Sequence, residues 1–273
     1  MDLNLIEKIL KKKVKSTKDL SIGSDQNVFL IETDDIKYIF KQPKKEKLKI
    51  NNEIFAINTL SPFHIPIPKL IYNNTNFLIE SYIEGENLKE NYSEHFFIEL
   101  GSYIKKIHEI ELEGFGNIIN GKGEYKTELE YLLSYLDYKN NIIVSKNIMK
   151  ENDIKNIIEK HINLFQDKKS FFAHGDIHFG NVIIYKDKIN GIIDFGDIVA
   201  CSIEYDLALF YCKIKNENVW PAFIKGYNKT YREKKFQIYL FVFYIWLLEE
   251  KSIEDKDIYY NKFLKCLNEI KKY

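Results

Sequence analysis

The sequence predicts an α+β fold in which a small antiparallel β-sheet lobe with one helix precedes a large and mostly helical lobe. Two observations support this fold class. Residues 19–83 contain short runs of Val, Ile, Phe and Tyr separated by turn residues, which is typical of strands. Beyond them the apolar residues recur mainly at helical spacing, apart from a return to short apolar runs in residues 171–197. We therefore divide the chain into residues 1–83 and residues 84–273.

The N-terminal lobe is predicted to contain a β-hairpin, one long helix and two further strands. Asp34-Asp35 is a turn signal between the first two strands, and Pro43 prevents the second strand from continuing. A helix is expected over residues 47–60, where apolar residues recur near helical spacing before Ser61-Pro62. The strands are expected at residues 26–31, 36–41, 69–72 and 77–82.

The C-terminal lobe is predicted to be built mainly from helices, at residues 93–110, 124–140, 149–166 and 203–273. Its most apolar stretch, residues 236–248, is shorter than the ~20 residues that are needed to cross a bilayer. We therefore expect this stretch to be a helix in the protein core.

Composition and charge narrow the classes of function. Forty basic residues balance forty acidic ones, and this zero net charge disfavours a general nucleic-acid binder. The three cysteines show no C-x-x-C spacing, which indicates reduced thiols rather than a zinc site or a disulfide framework. The first fifteen residues have the pattern of an amphipathic helix, not of a signal peptide. We expect a cytoplasmic protein with no nucleic-acid or membrane partner.

The chemistry is concentrated in two motifs, HGDIHFGN at residues 174–181 and IIDFGD at residues 192–197. The two apolar runs that join them have the pattern of a hairpin, which would bring Asp194 back beside Asn181. Together with Asp176, three oxygen-bearing side chains would then converge. Carboxylate and amide oxygens suit a hard cation such as Mg²⁺ held beside a polyphosphate.

The same segment also allows a second interpretation. His174, Asp176 and His178 spell H-x-D-x-H, which could belong to the metal site of a hydrolase. Such sites usually recruit further histidines, and the remaining four histidines do not lie in ligand-like motifs. The magnesium and phosphate interpretation is therefore favoured.

The pattern H-G-D-x-x-x-x-N followed by I-D-F-G-D resembles the aminoglycoside phosphotransferase family, a protein-kinase-like fold whose small-molecule branch includes choline kinases. The resemblance extends over nearly the whole chain, because Lys41 ends the strand YIFK, Glu53 lies in the next helix, and LIESYIEGENL matches the linker. It implies that Asp176 is the catalytic base and that Asn181 and Asp194 hold Mg²⁺. It also implies that Lys41, fixed by Glu53, neutralises nucleotide phosphates.

The resemblance further implies ATP or GTP as the phosphoryl donor, with the base held by the backbone at Ser81 and Ile83. One feature departs from the pattern of nucleotide loops. The segment LSIGSDQNVFL has only Gly23, so no G-x-G-x-x-G is present. We still expect its backbone near Ser24 to cover the phosphates.

The acceptor is expected to be a small molecule, because only a short segment follows DFG and no A-P-E sequence is present. An aminoglycoside is a polycation, so carboxylates should line its site, and the candidates are Glu204, Glu249 and Glu250. A choline-type acceptor, also a cation, could instead use the rings of Tyr244 and Trp246. The leading hypothesis is an aminoglycoside O-phosphotransferase that confers antibiotic resistance. The alternatives are a kinase of choline, an amino alcohol or a sugar, and a nucleotide-binding pseudokinase.

Overall fold

The computed structural model of the chain describes residues 1–21, 26–44, 48–145, 151–216, 218–249 and 256–272. The α+β fold class is confirmed, since antiparallel strands dominate the N-terminal part and helices dominate the remainder. The chain forms two compact units. The first unit comprises residues 1–92 and 179–198, and the second comprises residues 93–178 and 199–273. The division at residue 83 stays a prediction.

The helices and strands are numbered along the chain. The strands are β1 (Ser16–Asp19), β2 (Gln26–Glu32), β3 (Lys37–Pro43), β4 (Leu70–Asn73), β5 (Leu78–Ser81), β6 (Glu86–Asn87), β7 (Glu111–Leu112), β8 (Phe115–Ile119), β9 (Lys122–Tyr125), β10 (Ser170–Ala173), β11 (Val182–Tyr185), β12 (Lys188–Ile192) and β13 (Val199–Cys201). The helices are α1 (Leu3–Leu10), α2 (Leu48–Leu60), α3 (Glu94–Ile107), α4 (Glu128–Ser145), α5 (Glu151–Lys160), α6 (Ile203–Lys213), α7 (Val219–Tyr227), α8 (Glu233–Glu249) and α9 (Lys256–Lys271).

The first unit contains a five-stranded antiparallel sheet in the order β1-β2-β3-β5-β4. Four of these strands match the predicted ones. Strand β1 was not predicted, because its sequence STKD is polar and all four residues are exposed. A second sheet in this unit has the order β12-β11-β6, so that the hairpin from residues 182–192 pairs with a strand from the N-terminal part.

Helix α1 covers one face of the five-stranded sheet. The Asp2 carboxylate accepts hydrogen bonds from the N–H groups of Asn4 and Leu5 and so caps the helix. Its buried residues join an apolar cluster made by Ile6, Leu10, Ile31, Tyr38, Phe40, Phe77 and Ile79. Because side chains alternate between the two faces of a strand, Ile39 and Lys41 of β3 point to the opposite face.

The second unit contains a sheet in the order β7-β10-β13-β8-β9, together with helices α3 to α9. Residues 236–248 lie in α8 and are almost entirely buried, which confirms the predicted core helix. The hairpin β8–β9 was not predicted. Gly114 and Gly116 have positive φ angles where the chain enters this hairpin. Within the described residues no helix is both long and apolar enough to span a membrane.

Helices α3 and α7 approach each other so closely that backbone meets backbone. A Cβ atom added to Gly101 would lie 2.1 Å from the carbonyl oxygen of Phe223. A Cβ atom added to Gly226 would lie 1.8 Å from the carbonyl oxygen of Ile98. Each glycine is therefore required by the packing of the second unit.

We predict that Gly226→Ala lowers the free energy of unfolding by about 1–3 kcal/mol or more, because the new methyl group must displace the carbonyl of Ile98. Thermal and urea denaturation measure this loss. Lys225→Ala is the matched control, since the Lys225 side chain is exposed and its loss should change stability by less than about 0.5 kcal/mol. Equal stability of the two variants would contradict the close approach of α3 and α7.

Candidate active site

A cavity of about 740 Å³ lies within the first unit. Its apolar walls come from both sheets of the unit, with Val28 and Ile39 on one side and Ile183 and Ile193 from the β11–β12 segment. The polar residues that line it include Lys41, Lys49, Glu80, Asn181 and Asp194. An apolar slot with a few convergent polar groups and this volume is typical of a small-ligand site.

The hairpin β11–β12 brings Asn181 and Asp194 to this cavity. Val182 pairs with Ile192, and the N–H of Ile193 donates to the carbonyl of Asn181 at 3.0 Å. Asp194 has a left-handed backbone with φ of 65°, which turns the chain at the end of the hairpin. The predicted hairpin is thus confirmed, and it places the two side chains on one cavity wall.

Lys41 is buried at this cavity and is held by two carboxylates. Its ammonium group forms an ion pair with Glu53 of α2, the partner expected from the sequence. It also lies 3.0 Å from Oε1 of Glu80 in β5. Glu80 was not among the expected residues, although an acidic residue inside the apolar strand LIES was a visible signal.

Charge and burial oppose each other in this cluster. Burial alone lowers the pKa of the Lys41 ammonium group, but Glu53, Glu80 and Asp194 outweigh burial and hold that pKa above its usual value. Burial raises the pKa of both Glu53 and Glu80, and the attraction of Lys41 offsets this only in part. Lys41 therefore stays charged, and the carboxylates around it are in excess.

Asn181 and Asp194 have the donor atoms that Mg²⁺ requires. An amide oxygen and a carboxylate on the same cavity wall would supply two hard ligands, and nucleotide phosphates with water would supply the others. The neighbouring Asp197 is ion-paired with Lys49 at 2.9 Å. The amide of Asn52 in α2 donates to the carbonyl of Gly196 at 3.1 Å, which anchors the DFGD turn to this helix.

The residues expected at the nucleotide base lie at the same cavity. Ser81 and Ile83 both line it. The hydroxyl of Ser81 accepts a hydrogen bond from the N–H of Lys69 at 2.9 Å, so this side chain already has a structural partner. Ser24, expected at the phosphates, lies outside the described residues.

Asp176 lies in the second unit, on a loop that Asp206 holds in place. The Asp206 carboxylate accepts hydrogen bonds from the backbone N–H groups of His174 at 2.6 Å and Gly175 at 2.9 Å. The ring of the buried His108 contacts the same carboxylate at 3.1 Å. Burial raises the pKa of Asp206, but its contacts with His108 and the loop outweigh burial and keep the pKa low. Asp206 therefore fixes the loop as a carboxylate.

His174 serves this loop as well. Its side chain is fully buried, and its Nδ1 accepts a hydrogen bond from the N–H of Asp176 at 3.3 Å. Among the described residues no group of three or more His, Cys, Asp or Glu side chains is placed to hold a metal ion. Nδ1 of His174 is thus engaged by the backbone of the loop.

Two basic side chains flank the Asp176 carboxylate. Nζ of Lys213, the last residue of α6, lies 2.7 Å from Oδ1, and Nε2 of His178 lies 3.5 Å from Oδ2. Burial raises the pKa of Asp176, but His178 and Lys213 outweigh burial and hold that pKa well below its usual value. Sequence reasoning missed Lys213, because nothing in the sequence marks this one among many lysines as the neighbour of Asp176.

Of the three carboxylates expected at the acceptor, only Glu204 has a side chain that the structure describes. Glu204 is buried, and its carboxylate accepts hydrogen bonds from the backbone N–H and the guanidinium group of Arg232, the single arginine of the chain. Glu250 lies outside the described residues, and Glu249 ends α8. The ring of Trp246 faces the ammonium group of Lys213, at 5.8 Å from the ring centre.

We predict that Asp206→Ala lowers the free energy of unfolding by about 3 kcal/mol or more, because two buried N–H groups and His108 lose their acceptor. Asp206→Asn should lose less, since its amide oxygen still accepts. Urea denaturation measures both variants. Stability of Asp206→Ala within about 0.5 kcal/mol of the wild type would show that Asp206 does not fix the loop.

Comparisons with known proteins identify the family and the fold of the chain. The family model described as the APH phosphotransferase enzyme family matches residues 16–240. A comparison with curated proteins finds no match in sequence. Aminoglycoside phosphotransferase APH(2'')-Ib, bound to ADP, is similar in structure with a TM-score of 0.69 and 18% identity, covering 99% of this chain and 97% of that one. The streptomycin–ATP complex of APH(2'')-IIa has a TM-score of 0.66 and 19% identity, with 100% and 97% covered.

A further similar structure carries a different name. A protein assigned as a fructosamine-3-kinase from Thermobifida fusca YX-ER1 has a TM-score of 0.72 and 14% identity, with 99% of this chain and 98% of that chain covered. At these identities the likeness concerns the fold, which is that of small-molecule kinases.

Proposed function

The chain belongs to the phosphotransferase enzyme family and is a small-molecule kinase, and from this we propose that it transfers the γ-phosphoryl group of ATP or GTP to a hydroxyl of an aminoglycoside. The observation that carries the proposal is the convergence of Lys41, Asn181 and Asp194 on one cavity with apolar walls. Similar structures contain ADP, or ATP with streptomycin, which supports both the donor and the acceptor.

On the donor side, the apolar walls of the cavity take the base, and the backbone at Ser81 and Ile83 meets its polar edge. Lys41 neutralises phosphate charge, and Glu53 keeps its ammonium group in place. Asn181 and Asp194 would hold Mg²⁺, which supplies further charge neutralisation when it is bound. These groups act mainly by position and charge, since phosphoryl transfer requires little covalent work from the protein.

On the acceptor side, Asp176 accepts a hydrogen bond from the reacting hydroxyl and then takes its proton. The bond between the γ-phosphorus and its bridging oxygen breaks, a bond from the γ-phosphorus to the acceptor oxygen forms, and the nucleoside diphosphate leaves. Because Lys213 and His178 lower the pKa of Asp176, this carboxylate is a weak base. Its main contribution is to orient the hydroxyl, and the proton moves late, when the acceptor oxygen has become acidic.

We predict that Asp176→Asn lowers kcat by about 10²–10⁴-fold while nucleotide affinity changes little, because the neutral amide keeps the shape but loses the charge that orients the hydroxyl and accepts its proton. The measurement is magnesium-dependent turnover of ATP and of GTP with a panel of aminoglycosides, choline, amino alcohols and sugars. Full turnover in Asp176→Asn would exclude Asp176 as the base. Nucleotide binding without turnover on any acceptor, in the wild type, would favour the pseudokinase.

A kinase of a less cationic metabolite, such as a sugar, is the second candidate, and Lys213 is the observation that favours it. The reacting hydroxyl must contact Asp176 and so lies beside the Lys213 ammonium group. A second cation about 4 Å from that group would be repelled by roughly 1–4 kcal/mol, between the limits for water and for a protein surface. An acceptor without an amino group next to the reacting hydroxyl avoids this repulsion.

We predict that Lys213→Met moves the acidic limb of the kcat/KM profile to higher pH. Asp176 must be ionised to act, and its pKa is lowered partly by Lys213, so loss of this cation raises the pKa and activity then falls at a higher pH. The measurement is kcat/KM against pH on the best acceptor of the panel, with Lys225→Met as an exposed control.

An acidic limb at the wild-type pH in Lys213→Met would contradict this role of Lys213. The acceptor preference of the same variant separates the two candidates. If the natural acceptor carries an amino group beside the reacting hydroxyl, its KM should fall in Lys213→Met, because the repelling cation is absent.

A further inference from the structure

Two buried carboxylates share the Lys41 ammonium group. Glu53 contacts it from α2, and Oε1 of Glu80 lies 3.0 Å away in β5. Glu53 is fully buried and Glu80 is 2% exposed. A buried lysine needs a counter-ion, but a single carboxylate already meets that need. The second carboxylate therefore requires a separate explanation.

Neither carboxylate is fully satisfied. Among the residues that the structure describes, no hydrogen-bond donor reaches Oε2 of Glu53 or Oε2 of Glu80. Burying an acceptor without a partner costs free energy, so each carboxylate depends on Lys41 for most of its stabilisation.

The two carboxylates differ in their position relative to the cavity. Glu80 pairs across the sheet with Ile39, so its side chain lies on the same face as those of Ile39 and Lys41. Of the two carboxylates, Glu80 is the one among the described residues that line the cavity. An anion that enters the cavity to reach Lys41 therefore meets the charge of Glu80.

We propose that Glu80 competes with nucleotide phosphates for Lys41 and thereby weakens nucleotide binding, whereas Glu53 positions Lys41 for those phosphates. The inference rests on the proposed function, in which this cavity takes the nucleotide. Both parts follow from the positions of the charges. Phosphate and Glu80 attract the same ammonium group and repel each other, and Glu53 holds the ammonium group from the helix.

The test is nucleotide binding measured by titration calorimetry with adenosine, ADP and ATP, and with guanosine, GDP and GTP. Glu80→Gln removes the charge and keeps the shape. We expect its Kd for the di- and triphosphate to fall about tenfold, while its Kd for the nucleoside stays at the wild-type value. A merely structural role of Glu80 would not separate nucleoside from nucleotide in this way.

Glu53→Gln is the matched control, because it removes the other carboxylate from the same lysine. Glu80 then becomes the main partner of Lys41 and draws it away from the phosphates, so the Kd for the triphosphate should rise. The ADP and GDP titrations are repeated in EDTA, which removes Mg²⁺ and so separates competition by Glu80 from Mg²⁺ binding at Asp194. The higher affinity of Glu80→Gln for the diphosphates should persist under these conditions. Glu80→Met, which also lacks the charge, replaces Glu80→Gln if that variant does not fold.

Three outcomes would overturn the proposal. An unchanged or weaker affinity of Glu80→Gln for the triphosphate would show that Glu80 does not compete. An equal change for nucleoside and triphosphate would place Glu80 at the base instead. A wild-type chain that binds none of the nucleotides would overturn the proposed function itself, and this result differs from the first two, in which the wild type binds.

Discussion

The charge of Lys41 is the constraint on which the arrangement of the first unit depends. A lysine buried inside a strand must be paired, because an isolated buried ammonium group is very costly. This requirement places Glu53 of α2 against β3 and leaves Glu80 facing the same group from β5. Helix α2 in turn holds the DFGD turn through Asn52 and Gly196. One buried charge thus links two strands, a helix and the turn that follows Asp194.

The second unit also contains a buried charged group that must be paired, and this group is negative. Asp206 is a buried carboxylate, and its partners are backbone N–H groups and a histidine, not a lysine. Backbone donors cannot move away as side chains can, so Asp206 fixes the loop at His174 and Gly175 firmly. Gly175 allows the turn of this loop with a φ of 79°, which residues other than glycine rarely adopt. In both units a buried charge therefore determines the course of the backbone at a candidate functional residue.

Much of the fold could be predicted, because its signals are local. The hairpin strands, helix α2 and the apolar helix α8 follow from spacing and turn residues alone. Strand β1 could not, since its exposed polar residues pair only because β2 is available beside them. The motif spacing also predicted that Asn181 and Asp194 meet. It could not show that residues 179–198 belong to the compact unit formed by the N-terminal part, because this depends on contacts far apart in the sequence.

Two residues of the candidate site, Glu80 and Lys213, were not predicted, because their partners are also far away in the sequence. Glu80 and Lys213 are ordinary charged residues in sequence, and only their burial and their partners distinguish them. Glu204 is the opposite case. The sequence made it a candidate for binding a cationic acceptor, but in the structure its carboxylate pairs with Arg232. The charge of a residue can be predicted from sequence, but the group that neutralises it depends on the tertiary fold.

The side chains around Lys41 and around Asp176 differ in charge, and in the proposed function this difference suits the reaction. Around Lys41 carboxylates are in excess, so an incoming polyphosphate must bring its own cation or displace a carboxylate. Lys213 and His178 hold the pKa of Asp176 low, which keeps this carboxylate ionised and makes it a poor base. A strong base is of little use when the transition state is loose, because the acceptor hydroxyl loses its proton only after the bond to phosphorus has begun to form. In the proposed reaction Asp176 would therefore stay charged and hold the hydroxyl in place, which is the contribution that such a reaction most needs from its base.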